Sequence, residues 1–308
     1  MTPIRIAIVG VGKIARDQHV PSIAASADFD LVATASRHGS VDGVPSYPDI
    51  EALLEKVEHF DAVALCMPPG PRHAAALTAL RAGKHVLLEK PPGATLSELD
   101  DLVALAAGQR VSLFATWHSR FAAGVAQAKQ WLASRNIRSV RVDWKEDVRK
   151  WHPGQAWIWE PGGFGVFDPG INALSIVTEI LPMPIHLTAA TLQFPENRTQ
   201  PIAAELTFAD AAGERATATF DWRQTGPQTW DIRASTDDGD LLLQSGGARL
   251  TIDGKMVVDG RDEEYAGIYR RFAGLIAARE SDVDPRPLRH VADAFMVGRH
   301  AFVEPFED

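Results

Sequence analysis

The sequence predicts an α/β chain of two domains: a doubly wound parallel sheet, then an α+β domain with an open-faced, mostly antiparallel sheet. Three observations carry this. From Ile4 to about Thr116, short apolar runs alternate with amphipathic segments, the pattern of a parallel sheet covered on both faces. A glycine-rich turn, Gly10-Val11-Gly12, follows the first apolar run. After Phe121 the pattern changes, and from His186 to Asp259 short strands are separated by Gly, Asp and Pro, as in a sheet with one covered face.

In order, Ile4–Val9, Leu31–Ala35, Ala62–Met67, His85–Leu88 and Val111–Thr116 read as strands. Lys13–Ala25, Asp49–Lys56, Arg72–Ala82 and Ser97–Ala106 read as the intervening helices. A helix over Ala122–Ser134 leads into an alternating stretch, Val140–Val148. Seven further strands follow: Leu187–Phe194, Ile202–Phe208, Ala216–Trp222, Trp230–Ser235, Asp240–Gln244, Arg249–Ile252 and Met256–Val258. Helices over Glu263–Arg279 and Leu288–Phe302 close the chain. The expected boundary lies between residues 120 and 121, giving domains of 1–120 and 121–308, with the last helix free to return to the first domain.

The 308 residues suffice for two domains, and 45% hydrophobic residues suffice for a real core. A net charge of -9 and the absence of a basic tract argue against nucleic acid and anionic membrane as partners. The strand pattern starts at Ile4, leaving no expected room for a secretory leader. The single cysteine, Cys66, lies in an apolar run and permits no intrachain disulfide, which fits a reducing, cytoplasmic compartment. No His/Cys/Asp cluster has the spacing of a metal site.

Gly10-Val11-Gly12-Lys13-Ile14-Ala15 links the first strand to the first helix, the context of a Rossmann dinucleotide turn. Gly10 allows the tight turn, Gly12 lets a pyrophosphate approach the backbone, and Ala15 allows close helix packing. The amides opening the helix, at Lys13 and Ile14, would face the phosphates. The second strand ends in Ser36-Arg37, where an NAD site commonly places a carboxylate. A hydroxyl and a guanidinium suit the 2'-phosphate of NADP instead. The alternative is a solvated Arg37 and a site that takes both NADP and NAD.

Lys90, in Glu89-Lys90-Pro91, ends a strand of the parallel sheet, where ligands bind. Asp168 and Asn172 open a helix after the run Gly162 to Val166. An ammonium, a carboxylate and an amide suit oxidation of an alcohol, with hydride leaving carbon as a proton leaves oxygen. Asp168 as proton acceptor, Asn172 holding the hydroxyl and protonated Lys90 stabilising the oxygen form one assignment. Neutral Lys90 as the base is the other. A purely structural reading also exists: Asp168-Pro169 as N-cap and N1. Trp151 and Trp230, chosen from Trp117, Trp151, Trp157, Trp159 and Trp230, are expected to pack on a sugar's C–H face. His118, just after the last parallel strand, is a further substrate candidate.

These motifs resemble the Gfo/Idh/MocA oxidoreductase family. The matching residues run from the glycine turn through Met67-Pro68-Pro69-Gly70-Pro71-Arg72-His73 and Ala82 to Pro91, then through Gly162 to Asn172. The resemblance implies a Rossmann domain joined to a sheet domain through which such proteins often oligomerise. It also implies that Met67, Pro68, Glu89 and Lys90 border the cofactor. The family commonly has histidine where this chain has Asn172, which cannot titrate. Asn172, Ser36-Arg37 and Lys90 together are similar to the branch that oxidises C1 of L-arabinose or D-galactose with NADP. That likeness implies sugar contacts from Glu146 and His152. Dehydrogenation of another sugar or cyclic polyol, and a noncatalytic sugar or nucleotide sensor, are the alternatives.

Overall fold

The computed structural model describes residues 2–307, which form two compact units: residues 2–118 with 265–285, and residues 119–264 with 286–307. In the first unit the elements are β1 (Ile4–Val9), α1 (Val20–Ala24), β2 (Phe29–Ala35), β3 (Ser46–Tyr47), α2 (Ile50–Lys56) and β4 (Ala62–Leu65). They continue with α3 (Pro69–Arg81), β5 (His85–Leu88), α4 (Leu96–Gln109) and β6 (Leu113–Ala115). The sheet is parallel with order β3-β2-β1-β4-β5-β6, the doubly wound arrangement the alternation predicts. Ile6, Ala7, Ile8, Val63, Ala64, Leu65, Val86, Leu87 and Leu88 are wholly buried. Such unbroken apolar runs belong to strands covered on both faces. The short strand β3 was not expected; two residues carry too little periodicity to read.

The predicted helix over Lys13–Ala25 is interrupted. Ala15–His19 forms a π-helical turn and only Val20–Ala24 is regular α-helix. Pro21 supplies the reason, since it lacks an N–H and its ring crowds the carbonyl four residues back. Val11, Ala15, His19 and Ile23 are all buried. A regular helix would rotate this four-residue spacing by roughly 40° at each step. The wider turn takes that drift back and keeps one face inward.

From residue 119 the chain, most of it in the second unit, forms α5 (Val125–Leu132), β7 (Ile137–Lys145), α6 (Val148–Trp151), α7 (Phe167–Ile180), β8 (His186–Pro195), β9 (Ala203–Asp210) and β10 (Gly213–Asp221). After these come β11 (Thr229–Thr236), β12 (Gly239–Gln244), β13 (Arg249–Ile252), β14 (Lys255–Asp259), α8 (Glu264–Ala278), α9 (Arg286–Val297) and β15 (Arg299–Val303). Of these, α8 from Tyr265 onward belongs to the first unit and α9 to the second. Nine strands pair in the order β14-β13-β12-β11-β7-β10-β9-β8-β15, parallel only at β7–β10 and β8–β15. The register sets Leu206, Ala218, Val142, Ile232 and Leu243 in one buried row. The neighbouring row Thr217, Arg141 and Arg233 points the other way and is exposed. One face is therefore covered and one open.

Two expected elements differ. The stretch from Val140 does not continue to Val148; it ends at Lys145, and Asp147 accepts the Arg149 N–H at 3.1 Å to start α6. The predicted final helix over Leu288–Phe302 stops at Val297, and Arg299–Val303 is a strand beside β8. Gly298 makes the stop: its N–H reaches Ala294 O at 2.9 Å, and a Cβ there would lie 2.3 Å from that oxygen. Beyond it the alternating Arg-His-Ala-Phe-Val suits a strand better than another turn of helix.

Candidate active site

In the first unit the register aligns Val9 with Ala35 and Leu65, and Leu65 with Leu88. Gly10, Ser36, Cys66 and Glu89 consequently leave the parallel sheet along one edge, at the carboxyl ends where such folds bind ligands. Gly10 has φ +91°, and a Cβ there would lie 2.6 Å from Met67 N. Only glycine satisfies both that backbone and that approach. A Cβ at Gly12 would meet nothing, and Gly12 is exposed, so its backbone is open to a ligand. Lys13 pairs with Asp17 one turn on, and Ile14 is half-buried. Ser36 is held by its N–H to Tyr47 O at 2.8 Å, and its Oγ accepts the His38 N–H at 3.4 Å. Arg37 is exposed. No carboxylate lies in Ser36-Arg37-His38. This edge could hold a dinucleotide.

Glu89 is only 3% exposed and its carboxylate is committed internally. Oε1 accepts from His19 Nε2 at 3.0 Å and from the Tyr265 hydroxyl at 2.8 Å, while Oε2 accepts the Lys90 N–H at 2.8 Å. His19 Nδ1 meets the Tyr269 hydroxyl at 2.8 Å. Burial alone would raise the Glu89 carboxyl, but the hydrogen bonds and charge of His19, with His118 and Tyr265, bring it down to about 2. Burial disfavours charge on His19, yet Cys66, Tyr269 and Glu89 around it hold its pKa well above the ordinary histidine value. Burial pushes the Tyr269 hydroxyl up to about 12. Buried Arg72 binds Met67 O, Glu89 O at 2.5 Å and Pro91 O. It thereby ties together the chain leaving β4 and β5. Lys90 is half-buried, Met67 half-buried and Pro68 exposed. His118 stacks on Tyr265 at 5.6 Å between ring centres. Trp117 is core, its indole N–H donating to Asp284 O at 3.0 Å.

The second unit gathers another cluster around α7. The run Gly162 to Val166 turns sharply into this helix: Gly165 has φ +51°, and a Cβ there would lie 2.3 Å from Pro201 O. The helix starts one residue before the expected cap, so Asp168 lies in its first turn and the N-cap is Val166, which has no side-chain acceptor. Pro169 remains acceptable, because the first turn's amides lack helical partners anyway. A Cβ at Gly170 would lie 2.6 Å from the Phe220 ring, so this side of α7 is pressed on β10. Asp168 and Asn172 are one turn apart and on the helix face away from Gly170.

Facing Asp168 is His152, with Nε2 3.5 Å from Oδ2; the same nitrogen is 3.9 Å from Glu146 Oε1. Glu146 is 4% exposed, and its two oxygens accept indole N–H groups from Trp222 at 3.2 Å and Trp230 at 2.9 Å. The Trp151 and Trp230 rings lie 5.4 Å apart, and His152 lies 5.2 Å from Trp222. Thus Glu146, Trp151, His152, Asp168 and Trp230 come together in this unit, with Asn172 one turn beyond Asp168. Trp159 is core, against Trp222. The sequence reading passed over His19, Arg72 and Trp222. A histidine at four-residue spacing between Ala15 and Ile23 was the available signal for His19; nothing local marks Trp222 as a partner of Glu146. Among the described residues, no group of three or more His, Cys, Asp or Glu could hold a metal ion.

A family model, GFO_IDH_MocA, described as an oxidoreductase family with an NAD-binding Rossmann fold, matches residues 4–116. A galactose 1-dehydrogenase from Pseudomonas fluorescens is 47% identical over 308 residues, covering 100% of both chains. The crystal structure of a D-galactose-1-dehydrogenase from Rhizobium etli is 63% identical, covers 100% of this chain and 99% of its own, and superposes with a TM-score of 0.96. A 3-ketoreductase from Actinomadura kijaniata, solved with NADP and TDP-benzene, shares the fold at 21% identity and a TM-score of 0.83, over 98% of this chain and 99% of its own.

Proposed function

This chain belongs to the Gfo/Idh/MocA oxidoreductase family, and from that premise we propose that it is an NAD(P)-dependent aldose 1-dehydrogenase. The proposed substrates are D-galactose, L-arabinose or both, the product is the aldonolactone, and NADP is preferred over NAD. The names of the two full-length relatives support the sugar and the carbon oxidised. On this chain, the observation that carries the reading is the Asp168–Asn172 pair on one helix face, beside His152 and Trp-held Glu146.

A nicotinamide held at the glycine turn would supply the hydride acceptor for oxidation at C1. Asp168 accepts the proton of the C1 hydroxyl, and Asn172 holds that oxygen in line. Protonated Lys90 stabilises the negative charge that develops there. The reciprocal assignment gives the proton to a neutral Lys90. His152 and Glu146 take ring hydroxyls, while Trp151 and Trp230 pack on the C–H face. L-Arabinopyranose has the D-galactopyranose configuration without the exocyclic CH2OH. An apolar pocket would separate the two by only ~1–3 kcal/mol. Ser36 and Arg37 support NADP, as donors to a 2'-phosphate with no carboxylate opposing it. The open face of the second-unit sheet is the proposed surface for a homo-oligomer. Among the described residues no helix is long and apolar enough to cross a membrane.

The test is purified protein with NADP or NAD and a panel of aldoses and inositols, following nicotinamide reduction. Reduction with galactose or arabinose, released as lactone, is the expected result. Reduction with inositols alone would replace the substrate, and cofactor binding without turnover on any sugar would turn the reading to a sensor.

A further inference from the structure

We propose that His19 and Tyr265 are positioning residues for Lys90, acting through the buried carboxylate of Glu89. The inference rests on the proposed role of Lys90 in the chemistry. Strand β5 ends at Leu88, so the Lys90 N–H has left the ladder and needs another acceptor. Glu89 Oε2 provides it at 2.8 Å. The other oxygen of the same carboxylate is gripped by His19 at 3.0 Å and Tyr265 at 2.8 Å. On either side of Lys90, the carbonyls of Glu89 and Pro91 are held by Arg72. A lysine side chain has several rotatable bonds, so its tip can be aimed only if its backbone is fixed first.

The parts come from separate stretches of the first unit. His19 closes the π-helical turn that follows the glycine motif, Glu89 directly follows β5, and Tyr265 and Tyr269 lie one turn apart on α8. The groups facing His19 are Glu89, Tyr265, Tyr269 and Cys66; His118 acts on Glu89 from the chain after β6. Four elements therefore converge on the peptide that carries Lys90, and the first of them also carries the dinucleotide turn. Apolar side chains of equal volume would fill this space about as stably as a buried ion pair. They could not accept the Lys90 N–H. Retention of the buried His19–Glu89 pair is explained by that task.

The experiment compares Tyr265→Phe and His19→Gln with wild type, all assayed well below their melting temperatures, with Lys90→Met measured in parallel. Tyr265→Phe removes one hydroxyl and keeps the ring, so it stays informative even where His19→Gln does not fold. The expected result is a kcat at least tenfold lower in each, with sugar KM and NADP Kd within about twofold of wild type. Unchanged kcat with a lowered melting temperature would overturn the proposal, leaving the network a purely structural part of the core. An equal rise in NADP Kd and fall in kcat/KM would also overturn it, since the network would then serve the cofactor turn. Lys90→Met with wild-type kcat would instead sink the role of Lys90 itself, a failure read independently of the other two variants.

Discussion

His152 Nε2 stands 3.5 Å from Asp168 Oδ2. The histidine caps the end of α6 and the aspartate lies in the first turn of α7, so the pair joins two helix ends of the second unit that lie 16 residues apart in sequence. A carboxylate in the first turn of a helix is favoured by the positive end of the dipole, and a neighbouring imidazole gives it a directed partner. Replacing Asp168 with Asn keeps the shape and removes the proposed base. We expect kcat to fall by ~10²–10⁴, with NADP affinity, measured by titration of the free enzyme, unchanged. A retained kcat would move the proton to Lys90.

Arg37 is exposed beside Ser36. Changing it to Ala should raise KM for NADP tenfold or more, about 1.4 kcal/mol, and leave KM for NAD nearly unaltered. Steady-state kinetics with both cofactors read this directly; equal losses would remove the phosphate-reading role.

Gly170 lies between Asp168 and Asn172 on α7, and a Cβ there would enter the Phe220 ring at 2.6 Å. Phe220 is 1% exposed, so shifting its ring disturbs packed neighbours. Gly170→Ala should cost about 1–3 kcal/mol through overpacking, seen as a lower melting temperature. By pushing the helix off the sheet it should also lower kcat; a variant of wild-type stability would contradict the close approach.

Trp230 donates to Glu146 at 2.9 Å. Trp230→Phe keeps an aromatic face and deletes the donor, a hydrogen bond of about 0.5–1.5 kcal/mol. Sugar KM should rise clearly more than kcat falls. An unchanged KM would separate Glu146 from substrate binding.

The Glu89 carboxyl lies at about 2 rather than the ordinary 4.5. Its stabilising effect is therefore complete above about pH 4.5 and is lost as pH falls through about 2. His19 is raised, so its contribution is complete below its ordinary value of 6.5 and is lost only as pH climbs through the raised one. The pair stabilises most between those ordinary values. Removing one partner of a buried ion pair costs roughly 3–5 kcal/mol. Thermal melts of wild type and Glu89→Gln should differ most in that window and converge toward about pH 2; a constant difference would contradict the charge pair.

The class of both sheets was readable from residue patterns, because period-two alternation and unbroken apolar runs are local consequences of which faces are buried; β3 and β15 were not. His85–Leu88 and Arg249–Ile252 fall where their patterns put them. Gly10, Ser36, Met67 and Lys90 could be assigned to one edge, since parallel strands all end on the same side. The interrupted helix at Pro21, the strand after Gly298 and the start of α7 at Phe167 rather than Pro169 were not read. Each turns on a single residue whose effect depends on what packs beside it.

Chain-local chemistry was enough to mark Gly10, Gly12, Ser36, Arg37, Lys90, Asp168 and Asn172 as candidates, because their backbone freedom, charge and hydrogen-bonding capacity belong to the residues themselves. Only the folded units decided that Glu89 turns inward to His19 and Tyr265, and that Glu146 is held by Trp222 and Trp230. Those partners lie 70 to 176 residues away in the chain. A carboxylate's orientation follows from which donors surround it when water is excluded, and separations that long leave no trace in any local pattern.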